Sequence, residues 1–250
     1  MGSNELARHL FEIASDERLG ILSAIAEKPL KHAQIARHLD LTGSETTRHL
    51  TRLVSVGLVS KNPRSEYGPT NLARLLSVGI PFFDFLATHR DFLLSHDVLV
   101  LPREFVERLG ALSQGSFTSG TYKVVAFQEQ SLRAVKRRTW VMSEHAFEQG
   151  IPILQEKASS GADVRVIRPR GGFEEVVPAL SGASRNYPVR LLDETRIFLA
   201  VLDDIAGVCF PALDGKVDMS TMLLLQDPSG YRWAADLFLY FWERARERLG

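Results

Sequence analysis

Two hundred and fifty residues with 45% hydrophobic and 24% charged side chains suffice for one large or two ordinary globular domains and exclude a disordered chain. Thirty basic and thirty acidic residues cancel, so net charge excludes nothing, but its spread along the chain is uneven. The single cysteine, Cys209, excludes an intrachain disulfide and a multi-thiolate metal site, and its apolar neighbours make it a small buried hydrophobe.

At the start of the chain, Glu5, Glu12, Asp16 and Glu17 stand where a secretion signal would need a basic start and an apolar run. The longest stretches free of charge and strong polarity, such as Ile205 to Leu213, run nine residues, about half of a bilayer span. A cytoplasmic protein without a membrane partner is the expectation. Residues 16–27 place Leu19, Leu22, Ile25 and Ala26 on one helical face, and Pro29 ends that helix. A second helix is expected over Lys31 to Leu39. The run Leu41-Thr42-Gly43 reads as a tight turn with Gly43 in the left-handed region, and Ser44 as the N-cap of a third helix. That helix has Thr46, Leu50, Leu53 and Val54 inside, and Gly57 at its end. Leu58 to Lys61 and Tyr67 to Thr70 read as two strands of a small wing around the turn NPRSE.

Residues 31–74 carry seven basic side chains against three acidic ones. A helix enters the major groove if its outer face is small, polar and basic and its inner face apolar. Here the outer face holds Ser44, Glu45, Thr47, Arg48, Thr51, Arg52 and Ser55. Ser44, Thr47 and Arg48 are therefore expected to meet base edges. Lys31, Thr51, Arg52, Lys61 and Arg64 flank them and are expected to meet the DNA backbone. The order helix, helix, turn, helix, wing, with the run TTRHLTRLVSVGLVSK, resembles the winged helix-turn-helix of ArsR-like regulators.

A helix from Asn71 is expected to stop near Val78, with a boundary at Gly79-Ile80-Pro81. Phe82, Phe83, Phe85, Leu86, Phe92 and Leu93 then crowd a helical linker that predicts packing between domains or subunits. Pro102 opens a further helix, REFVERLGAL. From about residue 116 strands and helices alternate: strands at 122–125, 138–142, 164–167, 189–192, 196–202, 206–210 and 222–226, with helices at 127–136, 146–159 and 228–249. The last helix is loaded with Trp233, Leu237, Phe238, Tyr240, Phe241 and Trp242. Such apolar surfaces predict a homodimer formed through the C-terminal part. These aromatics and Trp140 read as core or dimer contacts rather than a cofactor cage.

The segments HRDFLLSHDVLVLPREFVERLGAL and RWAADLFLYFWERA resemble the effector domain of archaeal methanogenesis-regulatory, Fil-type proteins, related to the phospholipase D-like domain of TrmB-type regulators. The resemblance implies an α+β fold in two domains: a winged helix-turn-helix over 1–78, a helical linker over 79–115, and an α/β phospholipase D-like sheet domain over 116–250. That domain is expected to be non-catalytic, since none of the seven histidines is followed two residues later by lysine. Walker, Rossmann and G-x-S-x-G spacings are missing, so no cofactor is expected. His89 and His96 with Asp91 and Asp97 read as exposed or capping groups, with no metal expected. Arg133, Arg165, Arg168 and Arg170, at the ends of predicted elements, are the candidate pocket for an anionic small-molecule effector. The reading is a DNA-binding transcription regulator, not an enzyme. The alternatives are an α/β enzyme with structural N-terminal helices, and a regulator controlled by a protein partner.

Overall fold

A computed structural model describes residues 3–144, 150–171 and 187–247. The chain divides into two compact units, Met1–Ile80 and Pro81–Gly250.

The first unit opens with α1 (Ser3–Ile13), which the sequence pattern did not announce, and α2 (Asp16–Ala24), capped by Ser15 Oγ accepting from Arg18 N. A two-residue strand β1 (Leu30–Lys31) leads into α3 (His32–His38) and α4 (Gly43–Ser55). The turn between them differs from expectation. Asp40, not Gly43, takes the left-handed backbone, at φ 52°. Gly43 already lies in α4, and Thr42 rather than Ser44 is the cap. The reason is Glu45: it accepts from Thr42 N at 2.9 Å while Thr42 Oγ1 accepts from Glu45 N at 3.3 Å. This reciprocal capping box needs an acidic residue three places on, which Ser44 lacks.

The inner stripe of α4 is Thr46, His49, Leu50 and Leu53. Val54, expected inside, is 43% exposed, because one step past Leu53 rotates it about 100° off the stripe. Gly57, at φ 75°, ends the helix. Strands β2 (Val59–Lys61) and β3 (Glu66–Pro69) form the wing, and β1 joins the far side of β3 to give the antiparallel order β1-β3-β2. Ile21, Ile25, Ile35, Leu50, Leu53 and Leu58 form the core beneath. The helix expected to end at Val78 instead continues as α5 (Asn71–Thr88), with Pro81 inside it. Proline costs about 3 kcal/mol within a helix. Before it Ala73 packs in the core of the first unit, and after it Phe85 packs in that of the second.

In the second unit α6 (Arg90–Leu93) and α7 (Arg103–Val106) are single turns. The helix expected after Pro102 breaks into α7 and a 3-10 turn at Leu109–Leu112. Gly110 in that turn passes so close to the backbone that a Cβ would lie 2.7 Å from Phe82 N. Next come β4 (Ser116–Ser119), α8 (Thr121–Ala134), β5 (Arg138–Met142), α9 (Gly150–Ser159) and β6 (Asp163–Pro169). The strand expected at 122–125 is thus the first turn of α8. Its run Tyr-Lys-Val-Val has strand propensity, but it buries Val124 alone and leaves Tyr122 87% exposed. The expected start of α9 at 146–149 lies outside the described residues. The chain continues through β7 (Val189–Leu192), β8 (Phe198–Val201), β9 (Ala206–Cys209), β10 (Thr221–Leu225), α10 (Pro228–Arg244) and β11 (Arg246–Glu247). The last helix is shorter than expected because the chain straightens at Ala245 to pair β11 with β7.

The described strands of the second unit form one mixed sheet, β11-β7-β6-β5-β8-β9-β10-β4, parallel at β5/β6 and β6/β7 and antiparallel elsewhere. Alternation sorts its side chains. Trp140, Met142, Ile167, Leu199, Val208 and Leu223 face the core that holds Trp233, Leu237 and Phe238 of α10. Val164, Val166 and Val189 face Ile153 and Leu154 of α9, and Phe198, Cys209 and Met222 face Val124 of α8. The apolar load expected to lie between subunits is largely consumed here. Phe85 is buried, and Phe82, Leu86, Phe92, Leu93, Tyr240, Phe241 and Trp242 pack against the same core.

Candidate nucleic-acid interface

The capping box fixes the first turn of α4, and the buried stripe fixes its roll. Ser44, Thr47, Arg48 and Thr51 are consequently exposed together on the outer face. The Thr47 hydroxyl donates to the Gly43 carbonyl (2.9 Å) and lies 3.0 Å from Nε2 of His32 at the start of α3. His32 thus shares this surface, a residue the sequence reading missed because no periodicity ties α3 to α4. Arg48 Nη2 lies 3.5 Å from His49 Nε2 and has no carboxylate partner among the described residues. His49 is buried, and burial, followed by the Arg48 charge, holds it below the usual histidine range.

Arg52 sits one turn after Arg48 but serves the fold. Its guanidinium grips Glu12 of α1 bidentately, at 2.7 and 3.1 Å, and lies 5.3 Å from the Phe11 ring centre. The hydrogen bond from Arg52 overcomes burial and, with the Arg18 charge, holds the Glu12 carboxyl below the usual range. Arg18 Nε is 3.0 Å from the same carboxylate. On the wing, Asn62 Oδ1 accepts from the backbones of Arg64 and Glu66, at 2.9 and 3.0 Å. That turn leaves Arg64 and Lys61 exposed, with Lys61 Nζ 5.5 Å from the Tyr67 ring centre. Lys31, exposed before α3, has its backbone N–H bound to Gln34 Oε1 at 2.8 Å.

The four arginines expected to make an effector pocket do not converge. Period-2 alternation on β6 sends Arg165 and Arg168 to opposite faces. Arg165 pairs with Asp163 at 3.0 Å and lies over Trp140 at 4.8 Å. Arg133 pairs with Glu129 at 2.8 Å, and Arg170 with Asp193 at 3.4 Å, both at the surface. Of the four, Arg168 lines a cavity of about 80 Å³ between the sheet and α8 and α9. Among the aromatics, Trp140, Phe238 and Trp242 stack in series at 5.3 and 5.8 Å, and Trp233 Nε1 donates to Phe105 O. They are core. The histidines do not meet as metal ligands among the described residues. His96 lies 3.1 Å from Asp218, and His89 packs edge-on between Phe85 and Phe117. Cys209 is buried as expected, and burial, reinforced by the Asp218 charge, pushes its thiol up to about 12.

Residues 15–61 match the family model described as bacterial regulatory protein, arsR family. The first unit therefore carries an ArsR-family helix-turn-helix. The methanogenesis regulatory protein FilR1 of Methanothrix harundinacea (strain 6Ac) is 24% identical over 230 residues, 83% of this chain and 51% of that protein. The chain thus spans about half the length of the curated relative it matches. TrmBL2, described as an archaeal chromatin protein, aligns over 93% of both chains at 14% identity and a TM-score of 0.46. NucT from Helicobacter pylori aligns over 54% of this chain and 99% of its own, at 13% identity and a TM-score of 0.45. Among the described residues no helix is long and apolar enough to cross a membrane.

Proposed function

We infer that this chain, an ArsR-family helix-turn-helix joined to a mixed-sheet unit, is a DNA-binding transcription regulator. The observation that carries this is the outer face of α4. Four exposed residues there, Ser44, Thr47, Arg48 and Thr51, are short or basic, and exposed Lys61 and Arg64 stand on the wing that follows. Ser44, Thr47 and Arg48 read base edges; Lys31, Thr51, Lys61 and Arg64 meet phosphates. Arg52, held by Glu12, supports the helix instead. Gel retardation of genomic duplex fragments tests this. Retardation that weakens steeply with salt is the expected result, and none at low salt would defeat the reading.

The second unit is a scaffold for sensing rather than for chemistry. Two of its buried or half-buried carboxylates are committed to structure. Asp203 accepts from the backbones of Lys136, Arg137 and Arg138 at 2.7 to 2.9 Å. Burial alone would raise Asp218, but bonds from the Ser220 hydroxyl and backbone and from His96 hold it at about 2. The phospholipase D-like ancestry of this unit is proposed on the residue pattern at 89–112 and the mixed sheet, and its lack of that chemistry on the histidine neighbours. The working form is a cytoplasmic homodimer on double-stranded DNA, controlled by an anionic small molecule.

A further inference from the structure

The ring of His32, the first residue of α3, lies against the opening turns of α4. A Cβ on Gly43 would stand 3.9 Å from its Cε1, and its Nε2 is 3.0 Å from Thr47 Oγ1. The Thr47 hydroxyl has one hydrogen, and that goes to the Gly43 carbonyl at 2.9 Å. His32 Nε2 is therefore the donor in the second bond, which places a hydrogen on that nitrogen. Both bonds tie Oγ1 to the protein, while Thr47 as a residue is exposed. The branch left untied is the Cγ2 methyl. A helical threonine divides between two χ1 rotamers, because its hydroxyl can reach a carbonyl of the preceding turn from either. The bond to Gly43 alone does not choose between them. The bond from α3 does, since it favours the rotamer that aims Oγ1 at His32, and with it one direction for the methyl.

We propose that His32 is a specificity-determining residue that acts through Thr47, locking it so that its methyl packs on the C5-methyl of a thymine in the major groove. The groove edges of guanine, and O4 of thymine, are acceptors and call for a donor, which the Thr47 hydroxyl no longer is. Adenine and cytosine offer amino groups, but Oγ1, the acceptor they would need, is turned toward α3. A methyl facing outward instead selects thymine, the base that carries one there. The proposal rests on the reading of α4 as the helix that enters the major groove.

Selection from a random-sequence duplex library with the full chain supplies a preferred site, and each thymine in it is then replaced by deoxyuridine, which lacks the C5-methyl. One thymine per half-site is expected whose replacement weakens binding about fourfold, the worth of one buried methyl group. Thr47→Ser keeps the hydroxyl, loses the methyl and should bind both duplexes equally. His32→Ala frees the rotamer and should bring the difference below about twofold, and His32→Gln, whose amide also donates, should restore it. Thr47→Val puts a methyl on both branches, so there the difference persists and His32→Ala does not change it. The proposal is overturned if no thymine is distinguished from deoxyuridine, if the difference survives in Thr47→Ser, or if His32→Ala leaves it whole. It is overturned as well if His32→Ala lowers the difference equally in the Thr47→Val background, since His32 would then act without Thr47. A recovered site with no thymine effect removes only this assignment. Failure to retard any duplex removes the regulator reading and this assignment with it.

Discussion

Arg48 and Arg52 lie one helical turn apart on α4, and their surroundings give them different work. Arg48 is exposed beside Thr47 with no carboxylate partner among the described residues, whereas Arg52 is clamped by Glu12. Arg48→Ala should cost about 1–3 kcal/mol on a preferred site and relax sequence preference, with little change on random duplex. Equal losses on both, measured by competition retardation, would make Arg48 a phosphate contact. Arg52→Ala should lower the melting temperature while leaving the salt dependence of binding nearly unchanged. His49 adds a pH effect of definite sign. Burial and the Arg48 charge hold its folded pKa below the unfolded value, so the unfolded chain takes up a proton first. Stability is therefore complete above the ordinary histidine value of about 6.5 and falls as pH drops below it. Thermal melts between about pH 7 and pH 5 should show this decline, and His49→Leu should flatten it. His89 in the second unit shifts in the same direction, so a decline untouched by His49→Leu would assign the effect there.

The wing is the element whose role can be isolated most simply. Its turn is locked by Asn62, so Arg64 can be changed without disturbing β2 or β3. Arg64→Ala should lower the slope of log affinity against log salt by about one unit. A slope equal to the parent's would take the wing out of the interface. Among elements, the sequence was most legible where periodicity and punctuation agreed. The stripe Thr46, Leu50, Leu53 and the glycine at 57 define α4, and the alternating runs of β5 to β10 define most of the sheet. It was least legible where a local signal competed with a distant one. The β-branched pair Val124-Val125 spells a strand, while the polar run Ser116–Ser119 becomes one by pairing with β10 a hundred residues away. α1 escaped notice because much of its apolar surface, Leu6 and Phe11 included, faces outward rather than inward. The candidate base contacts followed from helix geometry, since roll about α4 is a local property. The arginine pocket did not, because Arg165 and Arg168 look alike in the chain and only the strand's alternation separates them.

At the scale of the whole molecule, a winged helix alone makes few phosphate contacts, and useful specific affinity comes from two copies reading two half-sites. The apolar surface available for pairing is not the one the sequence suggested, since the aromatics of 82–93 and of α10 are largely spent within the second core. Among the most exposed apolar side chains of the first unit are Leu6 and Phe11 on α1, with Leu75 at 73% and Val78 at 78% exposure on α5. Large apolar side chains grouped on two helices of one small unit are a liability unless something covers them, and a two-fold copy is the commonest cover. Light scattering at micromolar concentration should therefore give about twice the 27.9 kDa chain mass. Leu75→Glu with Val78→Glu should give the single-chain mass and keep the circular dichroism of the parent, because neither side chain supports the core. Binding of a preferred duplex should then weaken by at least about tenfold, as one half-site's contacts are lost. A parent protein that scatters as one chain and still binds DNA tightly would remove both the interface and the two-site argument.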